Sequence, residues 1–78
     1  MTPHLLDVVV LTCDLPAQGL KRGDLGTVGD LRGPETFVVE FVAASGRTQA
    51  LVTLGPADIR AVADDDLVTV RPTDTKAS

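Results

Sequence analysis

The chain has no tryptophan and no tyrosine, and only one cysteine, one histidine and one methionine, in 78 residues. A single cysteine excludes an internal disulfide, so packing and hydrogen bonds alone must hold the fold. The one thiol, Cys13, and the one imidazole, His4, could form a nucleophile and base only if the N-terminal segment met the end of the first strand. Cys13 reads instead as a half-buried structural thiol and His4 as an exposed side chain. Neither supplies the three or four converging ligands of a metal site, and no cofactor motif is present, so no metal and no cofactor are expected. Basic charge is also scarce: 7 Lys and Arg against 11 Asp and Glu leave a net charge of −4, the wrong sign for attraction to phosphate backbones or anionic membranes. No apolar run approaches the roughly 18 residues of a spanning helix. A cytoplasmic location without membrane contact is the expectation.

What is present is 44% hydrophobic, with Phe37 and Phe41 as the only rings, so the core must be Val, Leu, Ala and Ile packed around two phenylalanines. A chain this short buries only about 60% of its unfolded surface, which means one domain and no large enclosed pocket. The pattern is that of strands. Residues 8–11 are a β-branched run, and Pro16 and Gly19 break 15–22 into a long loop. Gly23, Asp24 and Gly26 read as a tight structural turn, with Asp24 bonding its own backbone, that feeds a strand over 25–31. Arg32-Gly33-Pro34 turns into a strand over 36–42, where Phe37, Val39 and Phe41 alternate with Val38, Glu40 and Val42 and point inward. After a turn at 44–47, residues 48–54 place Ala50, Val52 and Leu54 on one face. Gly55-Pro56-Ala57-Asp58 suits a single helical turn that Asp58 can cap, and a fifth strand follows at 59–62, where Arg60 can pair with a carboxylate.

Five short strands, a long first loop and a one-turn helix before the last strand describe an all-β, small five-stranded antiparallel barrel that resembles the Src-homology-3-like barrels. The domain spans 1–63. Residues 64–78 are then an acidic linker, a stretch over 67–71 that alternates like an added C-terminal strand able to pair with an open edge of this chain or a neighbour's, and a disordered tail at 73–78. The motifs Gly-Leu-Lys-Arg-Gly-Asp-Leu-Gly-Thr-Val (19–28) and Thr-Leu-Gly-Pro-Ala-Asp-Ile-Arg (53–60), with Asp7-Val8-Val9-Val10-Leu11 and Val39-Glu40-Phe41, resemble a family of short prokaryotic proteins known only as a domain of unknown function. The resemblance covers 5–62 and departs from the family at Gly29 and Val38. It implies no enzymatic activity, and an accessory or neutralising, antitoxin-like role in a two-protein pair.

The residues themselves point to a binding surface. With Val9, Leu11, Val28, Phe37, Val39, Phe41, Ala50, Val52, Leu54 and Ile59 filling the interior, Val8, Val10, Val38, Val42 and Leu51 must face outward, an apolar patch of the kind that marks a protein interface or a covering segment. Lys21, Arg22 and Glu40 would set register at its rim by charge. The expected function is a non-enzymatic protein-binding module whose partner is another protein or a second copy. Two alternatives stand beside it. Gly23 to Val28 also resembles the Gly-x-x-Gly-x-Val signature of RNA-binding barrels, with Lys21, Arg22, Arg32 and Arg47 as phosphate contacts, although the chain lacks the basic stripe and exposed aromatics that such binding uses. The other is an accessory subunit of a metalloenzyme. Asp64-Asp65-Asp66 reads as solvated linker.

Overall fold

Strands form where β-branched and aromatic residues recur at every second position. A computed structural model describes residues 2–73 and places β1 at Val8–Leu11, β2 at Leu25–Leu31, β3 at Phe37–Val42, β4 at Thr48–Leu54 and β5 at Ile59–Ala61. Two 3-10 turns, Pro16–Gln18 and Pro56–Asp58, interrupt the connections. Each starts on a proline, whose missing N–H has no partner to lose at that position. The second is capped as the sequence suggests: Asp58 Oδ2 accepts the Gly55 N–H at 3.0 Å.

All neighbouring strands run antiparallel, in the order β4-β3-β2-β1-β5. Val9 lies between Gly26 and Ala61, Val28 faces Val39, and Val39 faces Val52. One face therefore gathers Val9, Leu11, Val28, Phe37, Val39, Phe41, Leu54 and Ile59 into a single buried cluster. Leu20 joins it from the first loop, which is pinched shut where the Leu15 and Leu20 backbones exchange hydrogen bonds of 3.0 and 3.1 Å. Ala50 and Val52, at the β4 edge, are only partly covered. The register slips by one residue at Gly29 in β2 and at Gln49 in β4, two bulges that bend their strands.

Three expectations are corrected. The sheet is all-β and five-stranded but does not close into a barrel. The chain after β4 is spent on the Pro56–Asp58 turn, which delivers β5 to the free side of β1 with three residues to pair, too little staggered length for closure onto β4. Residues 67–71 form no strand; side chains rather than a backbone ladder hold this segment, as described below. Gly26 is not a turn residue. It lies buried within β2, where a Cβ would stand 2.5 Å from Val39 Cγ1 and 2.8 Å from Phe41 Cε2, so its hydrogen side chain makes room for the Phe41 ring. The turn itself is at Gly23, whose φ of +96° suits glycine. The expected disordered tail falls mostly on 74–78, outside the described residues.

Candidate functional site

Alternation along each strand puts a second set of residues on the outer face, opposite the core. The register lines up Leu51, Glu40, Thr27 and Val8 across β4, β3, β2 and β1, and sets Val38 between Thr53 and Asp30. Val10 sits between Leu25 and Arg60. Of the five residues expected to form an apolar patch, Leu51 is 64% exposed and Val8 and Val42 are each 50% exposed, while Val38 is half-buried. Val10 is the exception: it is only 5% exposed although it belongs to the outer face and is not part of the core cluster. The patch is thus not one continuous surface. Glu40 and Thr27 separate Leu51 from Val8, and Glu40 is itself held by the Thr48 hydroxyl, which donates to Oε2 at 2.6 Å.

Val10 lies between Leu25 and Arg60 on the neighbouring strands, and the chain returns past it. After β5, Asp66 folds back: its Oδ2 accepts the Ala63 N–H at 2.7 Å, and its two carboxylate oxygens take two hydrogen bonds, 2.8 and 2.9 Å, from Arg60. At the far end, Arg71 Nε and Nη2 donate to the two oxygens of Asp24 at 2.9 and 2.6 Å, and Nη2 also reaches the Gly19 carbonyl at 3.2 Å. Asp24 is meanwhile the hinge of the loop before β2, accepting the Lys21 N–H through its side chain at 2.8 Å. Residues 67–70 are therefore a strap tied at both ends by paired arginine–carboxylate contacts, the geometry that makes such pairs strong. Between strap and sheet lies a cavity of about 540 Å³ that Val10, Leu25, Val42 and Val62 line together with Arg22 and Gln49. The strap turns its own apolar side chains away, with Leu67 88% and Val70 95% exposed.

The electrostatics follow from these contacts. Burial works against the charged form of Asp24, but the hydrogen bonds from Arg71 and the Lys21 N–H and the positive charges of both residues outweigh it, so its carboxyl lies below the ordinary range. Asp66, bonded by Arg60 and the Ala63 N–H, is held at about 2. Asp66 is thus an anchored residue where the sequence suggests solvated linker. Arg60 finds the carboxylate expected of it.

The chemically capable residues are dispersed. His4 lies 3.7 Å from Asp7, whereas the Cys13 thiol faces Asp58 at 3.9 Å. Among the described residues no group of three or more His, Cys, Asp or Glu side chains is placed to hold a metal ion. Of the four basic residues considered for RNA, Lys21, Arg22 and Arg47 lie toward one end of the sheet. Arg32 follows β2 at the opposite end and pairs with Asp30 at 2.8 Å, and both phenylalanines are buried. What the sequence did not reveal is the Asp24–Arg71 tie, formed between residues 47 apart, for which no local pattern gives a signal.

Neither the curated proteins nor the solved structures provide a match to this chain. A family model does, over residues 5–61, from the strand-one approach to the end of β5. The chain belongs to the family described as a domain of unknown function, DUF4926.

Proposed function

We propose that this chain is a non-enzymatic protein-binding module that docks a partner on the outer face of its sheet. The observation that carries the reading is the uneven cover of that face: Val10 is buried, yet Val8 and Val42 are half exposed and Leu51 is 64% exposed. Apolar side chains left bare on a sheet face are the kind of surface a partner buries. Glu40, which faces Leu51 across β3 and β4, and the Lys21-Arg22 loop at the end of the sheet supply charge that would orient the partner. The role fits a small accessory or neutralising member of a two-protein pair acting in the cytoplasm.

The test is affinity capture from the native host with the wild-type chain and with Val42→Asp and Val38→Asp, each variant first shown by circular dichroism to keep its sheet. A stoichiometric protein held by the wild type and lost by both variants supports the reading. Capture that survives both substitutions, or no stoichiometric partner at all, refutes it.

A further inference from the structure

The two edges of the sheet are treated very differently. β5 is three residues long, carries Arg60, and is flanked by the Ala63–Asp66 turn that Arg60 grips. Short length, charge and cover are the usual protections of an edge strand. β4, the other edge, has seven residues, Thr-Gln-Ala-Leu-Val-Thr-Leu, with no charge, no proline and no glycine. Its one irregularity is the bulge at Gln49 near its start, where the Gln49 amide also reaches the Gln18 carbonyl at 3.4 Å. From Ala50 to Leu54, no backbone group of a described residue hydrogen-bonds to the outer side of β4.

We infer that the β4 edge is a self-association surface, and that two copies of this chain join there by antiparallel β4–β4 pairing into one continuous sheet. Three features select a second copy as the occupant. A chain of net charge −4 repels its own kind over most of its surface, but this edge brings no charged side chain of β4 against another. A two-fold axis at Leu51 keeps the faces matched between Ala50 and Val52, beyond the bulge at Gln49: Leu51 meets its own copy on the outer face, where it is 64% exposed, and Ala50 meets Val52 on the inner face. Those last two are the core-facing residues of β4 left only partly covered by the open sheet, so the pairing covers that flank of both cores at once. Symmetric closure of this kind also consumes the edge and limits growth to a dimer.

The inference is independent of docking on the outer face, and the experiment separates them. Light scattering after size exclusion is run on the full chain across a range of concentrations, with Leu51→Lys, which places like charges against each other at the axis, and Val42→Asp, which alters the outer face away from the edge. The expected result is a mass of two chains for the wild type and for Val42→Asp, and of one chain for a folded Leu51→Lys. Should Leu51→Lys fail to fold, amide hydrogen exchange of the wild type decides, since the outward amides of β4 must become protected as concentration rises. A wild type that stays a single chain throughout, a dimer that persists in folded Leu51→Lys, a dimer lost in Val42→Asp, or β4 amides whose exchange ignores concentration would each overturn the inference.

Discussion

Replacing Gly26 by alanine tests the packing account of β2 directly. In a turn exposed to solvent, a Gly→Ala change at a compatible backbone conformation is favourable by about 0.4–1 kcal/mol, because it restricts the unfolded chain. In β2 the added methyl would stand 2.5 Å from Val39 Cγ1 and between 2.8 and 3.1 Å from two carbons of the Phe41 ring. Both neighbours are buried, so neither can swing into solvent, and overpacking at such a site costs about 1–3 kcal/mol. The net expectation is a loss of about 1–2 kcal/mol. For a domain of this size that corresponds to a midpoint lower by roughly 5–15 °C. With no tryptophan or tyrosine in the chain, unfolding is best followed by far-ultraviolet circular dichroism in urea, where the midpoint should fall at an unchanged slope. Trimming the ring with Phe41→Leu should reduce the penalty of Gly26→Ala in the double variant, giving a measurable coupling between positions 26 and 41. A Gly26→Ala protein as stable as the wild type, or an additive double variant, would refute the argument.

Acid should loosen the strap before it unfolds the sheet. The carboxyls of Asp24 and Asp66 are both depressed in the folded chain, the latter to about 2 from an ordinary 3.8, so their contribution is complete above the unfolded value and is lost as pH falls through the folded one. Limited proteolysis within 62–71 should therefore accelerate between about pH 4 and pH 2 under an acid-active protease, relative to an unstructured control peptide, while the strand signal persists; an unchanged relative rate would show that the two arginine ties do not hold the segment. Leu20→Ala should cost about 2–5 kcal/mol, because Leu20 is buried in the core cluster despite its place in a loop, and urea unfolding that shows less than about 1 kcal/mol would remove the first loop from the core.

The strands are legible in the sequence because their signals are local. Phe37, Val39 and Phe41 alternate with more exposed residues over a single run, and Pro56 with Asp58 marks its own short turn. Features that depend on register are not legible in the same way. Gly26 follows Gly23 so closely that both read as turn, and only the pairing of β2 with β3 shows that one bends the chain while the other makes space for a ring. Barrel closure depends on how many residues remain to pair after the Pro56–Asp58 turn, a count that propensity does not provide. Leu20, in a loop without periodicity, gives no sign that it is core.

The candidate surface shows the same limit more sharply. Val8 and Val10 share a strand, a face and a side chain, and any pattern rule must treat them alike, yet one is half exposed and the other buried. The difference follows the register: Val10 lies between Leu25 and Arg60, whereas Val8 has Thr27 on one side and no β5 partner on the other, and nothing local in the sequence says where β5 stops. Because Asp24 accepts both the Lys21 N–H and the Arg71 guanidinium, the loop that carries Lys21 and Arg22 cannot change conformation without disturbing the tie that holds the strap. Any partner that engages this loop therefore also acts on the strap through the Asp24–Arg71 pair.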